Sequence, residues 1–137
     1  MKTLLNNVKN VLQALIGSTV YDDPAGGTQA MRYYVGQMPD KRDSGNEQDF
    51  PFCLIEPGLV TLSRDGRRHV VDITFGLFEA GTKDDAITMV DSFLSVIAAA
   101  PTQNYSGYKL LGEMTAEIEK NHPYYEISLT GEFRKAR

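Results

Sequence analysis

Leu59-Val60-Thr61-Leu62-Ser63-Arg64-Asp65-Gly66-Arg67-Arg68-His69-Val70-Val71-Asp72-Ile73-Thr74-Phe75-Gly76-Leu77-Phe78 is the stretch on which the fold turns. Asp65-Gly66 is a dipeptide preferred at the centre of a tight hairpin turn. Downstream of it, Val71, Ile73, Phe75 and Leu77 line one face of an extended chain. Val70, Asp72, Thr74 and Gly76 line the other. That period of two predicts a strand of about ten residues with a definite core side. Upstream, Leu59 to Ser63 is the extended run that pairs with it.

Further toward the N-terminus, Pro57-Gly58 predicts a turn or bulge, and Phe50 to Ile55 a short apolar strand opened by Pro51. Cys53, the single cysteine, lies in Phe52-Cys53-Leu54-Ile55 and reads as a small buried hydrophobe. No intrachain disulfide and no four-ligand zinc site of the usual kind is available. Asp22-Asp23-Pro24, Gly26-Gly27, Met38-Pro39-Asp40 and Asp43-Ser44-Gly45-Asn46 are turn signals. They predict a long loop at about 18–50, with Ala30 to Val35 as a short strand inside it. A loop of that length either orders against a neighbour or is a mobile surface excursion with one added strand, and both readings stay open. Before it, Leu4, Leu5, Val8, Val11, Leu12, Leu15 and Ile16 share one stripe of a helix over Thr3 to Ile16, which Gly17 stops. The polar face is rich in Asn, a poor helix former, so this helix needs tertiary packing.

Toward the C-terminus, Ala80-Gly81 ends the central strand and Thr82 is an N-cap, with Asp84 and Asp85 in the first turn. Ala86, Ile87, Val90, Phe93, Leu94 and Ile97 form the apolar face of a helix that runs into Ala98-Ala99-Ala100 and stops at Pro101. Tyr108 to Ile118 alternates, with Leu110, Gly112, Met114, Ala116 and Ile118 facing one way. Lys120-Asn121-His122-Pro123 predicts a turn, and Tyr124 to Phe133 a last strand with Tyr125, Ile127, Leu129 and Phe133 inward. The order helix, loop, hairpin, helix, hairpin predicts an α+β fold: two layers, with two helices packed on a mainly antiparallel sheet of four to five strands. Residues 1–137 are expected to form a single domain.

The composition, 42% hydrophobic and 23% charged, is that of a globular domain, and the net charge of -4 argues against a broad nucleic-acid-binding face. Arg64, Arg67 and Arg68, and the terminal Arg134, Lys135 and Arg137, read as solvated hairpin and tail charges. No apolar run approaches the ~20 residues that span a bilayer, so no membrane is expected. The first helix is amphipathic and unlike a signal peptide. His69 and His122 have no Cys or Ser in a nucleophilic arrangement. Glu117 with Glu119, and Asp84 with Asp85, read as a solvated sheet face and an N-cap. Asp22, Asp23, Asp40 and Asp43 lack the ligand spacing of a calcium loop. Gly26-Gly27 and Gly107 form no phosphate-binding loop. No enzymatic activity, cofactor or metal is expected.

Tyrosine stands out: seven copies with no Trp, in the groups Tyr33-Tyr34, Tyr105 with Tyr108, and Tyr124-Tyr125. Tyr serves both cores and protein interfaces, and both readings stay open. The candidate protein-interface residues are Arg32, Tyr33, Tyr34, Arg64, Arg67, Arg68 and Tyr124.

The amphipathic first helix, the long polar loop and Phe50-Pro51-Phe52 opening a strand resemble the tail terminator (tail completion, minor tail protein U-like) family of bacteriophages. The helix Thr82 to Ala100 fits the same plan, as does the last strand, opened by Pro123-Tyr124-Tyr125 and running Glu126-Ile127-Ser128-Leu129-Thr130-Gly131-Glu132-Phe133. The resemblance covers nearly the whole chain in element order, but segment 18–50 matches no motif. It implies a hexameric ring of identical subunits that caps the tail tube, stops its polymerisation and offers a surface for head attachment. Implied partners are the chain itself, the major tail tube protein and the head–tail connector protein, with DNA passing through the ring without specific binding. The implied location is the tail or neck of the virion, assembled in the host bacterial cytoplasm. Sheet edges left over from a two-layer domain are expected to pair around such a ring. Segment 18–50 and the Arg64 to Arg68 tip are expected to make the contacts, so that deleting residues 26–48 leaves a folded domain that no longer caps tails. The alternatives are a head completion or head–tail joining protein of the neck, a small α+β enzyme or ligand-binding domain, and a bacterial adaptor or toxin-system subunit.

Overall fold

The alternating residues of the central stretch form the middle of one sheet, in a computed structural model that describes residues 1–39 and 49–136. In chain order the elements are α1 (Lys2–Ile16), β1 (Val20–Asp22), β2 (Thr28–Ala30), β3 (Arg32–Val35), β4 (Phe52–Ser63), β5 (Gly66–Phe78), α2 (Lys83–Ile97), β6 (Tyr108–Asn121) and β7 (Tyr124–Lys135). β1 and β2 form a small antiparallel hairpin. The main sheet has five strands in the order β3-β4-β5-β7-β6. Its pairs are antiparallel except β3 with β4, which is parallel. Both helices pack on one face, so the fold is the expected α+β two-layer arrangement.

The core lies between those layers. Leu4, Leu5, Val8, Leu12 and Ile16 of α1 are buried, as are Ala86, Val90, Phe93 and Ile97 of α2. Against them stand Cys53, Ile55, Val71, Ile73, Phe75, Leu77, Ile127, Leu129 and Phe133 of the sheet. Each large side chain buried there contributes roughly 2 kcal/mol of transfer free energy. That packing holds α1, whose N-cap, Met1, makes no side-chain hydrogen bond. The Asn7 amide adds a tether, donating to the carbonyl oxygens of Tyr105 at 3.1 Å and Ser106 at 3.2 Å. By contrast α2 starts on a capping box: Thr82 Oγ1 accepts from Asp85 N, and Asp85 Oδ2 accepts from Thr82 N.

Several boundaries differ from the sequence reading, each for a physical reason. The runs Phe50 to Ile55 and Leu59 to Ser63 belong to one strand, β4, because Pro57-Gly58 makes a bulge and not a turn. The loop of the β4–β5 hairpin holds Arg64 and Asp65, while Gly66 opens β5 with a φ of 115°. Neither Arg64 nor Asp65 has positive φ, so Asp65-Gly66 is not the centre of the turn. The strand expected at Ala30 to Val35 begins at Arg32, because Thr28 to Ala30 pairs instead with β1. The loop expected at about 18–50 is therefore structured through Val35, and residues 40–48 lie outside the described residues. Met31 within it is buried in the core, which speaks against the expectation that deleting residues 26–48 leaves the domain folded. Helix α2 ends at Ile97, and Pro101 sits in a separate 3-10 turn, Ala100–Thr102. Gly17 ends α1 in a right-handed conformation, φ -68°, rather than the left-handed one a stop glycine usually takes. Strand β6 continues to Asn121, leaving His122-Pro123 as the turn.

Candidate protein interface

Helix and strand geometry decide what stays uncovered. The 15 residues of α2 span about 22 Å, whereas the 13 residues of β5 span about 43 Å. The helix layer cannot shield the whole β4–β5 hairpin. Its end therefore stands clear, with Leu59 72% and Leu62 76% exposed and Val60 42%. Val60 pairs with His69 and Leu62 with Arg67, in the row that continues into Val71, so this apolar stripe is on the helix side of the sheet. Arg64, Arg67 and Arg68 are exposed around it. Arg68 points to the opposite side, where Nη1 meets Glu132 Oε1 at 3.6 Å. Of the three arginines foreseen at the tip, Arg67 shares the helix side with Val60 and Leu62, Arg64 lies in the turn, and Arg68 is on the opposite side.

The other candidates lie elsewhere. Arg32 is used inside the chain: Nη1 donates to the Phe50 carbonyl oxygen at 2.6 Å, and Nη2 donates to Gln29 Oε1 at 2.8 Å and meets Asp23 Oδ2 at 3.4 Å. It ties the β1–β2 hairpin to the start of β4. Tyr33 is on the helix side and half-buried, and its hydroxyl has no hydrogen-bond partner. Burial, with Cys53 and Tyr21 nearby, pushes its pKa up. Tyr34 is on the outer side of the sheet. Tyr124, also outward, belongs to an aromatic cluster with ring centroids 5.0 Å from Phe50 and 5.2 Å from Phe78. Phe50 meets Phe52 at 4.9 Å in the same cluster. The peptide bonds before Pro51 and Pro123, which flank these rings, are cis. Tyr105 is a core residue, its hydroxyl donating to the Ala100 carbonyl at 2.7 Å.

The outer sheet face is acidic. Glu119 and Glu126 are direct cross-strand partners, and Glu117 faces Ser128 one step along the same face. Burial, and then the Glu119 charge, raise the Glu126 pKa. On the helix side, α2 stops short of β6 and leaves an open groove of about 640 Å³, with Ile87, Val90, Ile118 and Tyr125 among its walls. Ile87 is 61% exposed there, a correction to its expected place on the buried face. The exposed Ile87, Ile118, Leu59 and Leu62 were not named from the sequence as interface residues. The signal for them is the mismatch between strand length and helix cover.

Burial pushes the Cys53 thiol up and makes it a poor nucleophile. His69 is buried, and burial, the N-terminal ammonium and Arg67 hold its imidazole below the ordinary value. His122 Nδ1 is engaged with Tyr125 Oη at 2.6 Å. Asp85 is held below the usual carboxylate range by the Thr82 backbone and side-chain hydrogen bonds. No group of metal-ligating side chains forms among the described residues, and none of the described helices is long and apolar enough to cross a membrane. No family model matches the chain, and no curated protein matches it in sequence.

Proposed function

We propose that this chain is a structural assembly subunit that joins copies of itself into a closed, hexameric ring in the manner of a phage tail terminator. The observation that carries the reading is the uncovered hairpin end. Val60 and Leu62 present exposed apolar side chains on the same side of the hairpin as Arg67, with Arg64 in the adjoining turn, and such patches mark association sites. The element order that resembles the tail terminator family supports the same reading. In this role no bond is made or broken. The ring caps the tail tube, blocks further addition of tube protein and offers a platform to the head–tail connector, and modest contacts sum through multivalency. DNA passes through the ring without specific binding, in keeping with the net charge of -4. The ring sits in the neck of a virion assembled in the bacterial cytoplasm.

The test is electron microscopy of phage particles made without this chain. Overlong tails, restored to normal length by the wild-type chain and not by Leu62→Asp, are expected. Free tails of normal length beside separate heads would reassign the chain to head completion. Normal infectious particles would overturn the assembly role.

A further inference from the structure

We propose that the helix-side surface of the hairpin end in one copy, Val60, Leu62, Arg64 and Arg67, docks on the outer sheet face of the next copy at Glu117, Glu119 and Glu126. This inference rests on the ring reading above and names the contact that would build it.

Three observations lead there. The first is charge. The docking end presents Arg64 and Arg67, and the outer face presents three carboxylates, two of them directly opposed across the β6–β7 ladder. Like charges set face to face in a sheet are unfavourable, and among the described residues neither Glu119 nor Glu126 has an ion-pair partner. A neighbour's guanidinium supplies the missing countercharge. The second is apolar area: the half-buried rings of Phe78 and Tyr124 lie on the same face, next to Glu126, and offer a surface for Leu62. The third is position. Arg67 and Gly76, which pairs with Glu126, are separated by about 30 Å along β5. The two surfaces also lie on opposite sides of the sheet. A chain cannot bring them together within itself, so a second copy is required. Front of one copy against back of the next is a heterologous contact, the kind that closes into a ring.

The α2–β6 groove is a poorer occupant site for the same hairpin. It lies on the helix side, so filling it with a helix-side stripe sets two copies face to face about a two-fold axis, and its two lysines, Lys83 and Lys120, outnumber its one carboxylate, Asp91.

The test is a charge exchange on the purified full chain, read by native mass spectrometry and light scattering, with circular dichroism confirming the fold. Arg64→Glu with Arg67→Glu, and separately Glu117→Arg with Glu119→Arg, should each weaken self-association on the order of a hundredfold. All four changes in one chain should restore it. Because these side chains are exposed, neither reversal should unfold the monomer, and Glu119→Arg, opposite Glu126, should if anything raise its melting temperature. A mixture of Leu62→Cys and Glu119→Cys chains should form the mixed disulfide on oxidation, and buried Cys53 should not interfere. Oligomers that survive both reversals, or that form only Leu62→Cys self-links, would overturn this contact while leaving the ring in place. A wild-type chain that stays monomeric at every concentration would overturn the self-docking. The ring reading has its own, separate readout in tail length.

Discussion

Phe52 and Gly76 are cross-strand partners that share one space: the Phe52 ring covers the Gly76 α-carbon so closely that a β-carbon there would run into Cε1 and Cδ1. The φ of Gly76 is not positive, so glycine is required for room and not for backbone freedom. Gly76→Ala should therefore cost on the order of 1–3 kcal/mol. Thermal unfolding of the single and double variants checks this. The loss should shrink in a Phe52→Ala background, because residues in contact do not add.

Glu126 gives a pH prediction with a definite sign. Its folded pKa lies above the unfolded one, so the folded chain binds the extra proton. Stability should fall as pH rises from the ordinary carboxylate range through the raised value, and then level off. Glu126→Gln should remove that slope and stabilise the isolated subunit at neutral pH by a few tenths to about 1 kcal/mol. Chemical denaturation across that pH range is the measurement. A steeper slope in the variant would contradict the assignment.

Thr82→Ala breaks one arm of the capping box on α2 and should cost about 1 kcal/mol. Thr82→Ser should keep most of it. The Asp85 arm carries the opposite pH sign to Glu126. Its depressed pKa adds stability above the unfolded value, lost as pH falls through the folded one.

Met31 and β3 make residues 31–35 part of the folding unit. Met31→Ala should destabilise by roughly 2–5 kcal/mol, the usual cost of truncating a buried Met. Deleting residues 26–48 removes a sheet strand as well, and should leave a chain without cooperative unfolding by circular dichroism.

Legibility followed the strength of local periodicity. Val71, Ile73, Phe75 and Leu77 alternate with polar or small residues, and the α1 stripe repeats at helical spacing, so both elements could be read directly. Phe52-Cys53-Leu54-Ile55 is apolar throughout because β4 is covered on both faces there, by helices behind Cys53 and Ile55 and by aromatic rings around Phe52. A continuous apolar run carries no face assignment. The parallel pairing of β3 with β4 depends on residues about twenty positions apart and leaves no local trace. At the candidate interface, the arginines were legible as a cluster beside a turn signal. Leu62 and Ile87 were not, because exposure depends on where the helix layer ends. The Glu119–Glu126 opposition depended on the two-residue turn His122-Pro123, which pairs Asn121 with Tyr124 and fixes the register from there.

The bulge between Leu111 and Thr115 governs what the subunit must avoid. β6 is the outermost strand over 14 residues, and its free backbone would be a ready template for a foreign strand if it ran straight. Gly112, at φ 69°, breaks the run midway, and exposed Lys109 and Glu113 flank the kink. Main-chain accretion along this border is thereby discouraged. In the proposed ring, association would then fall to side-chain recognition, which can terminate after a fixed number of copies where open-ended fibrillar growth cannot.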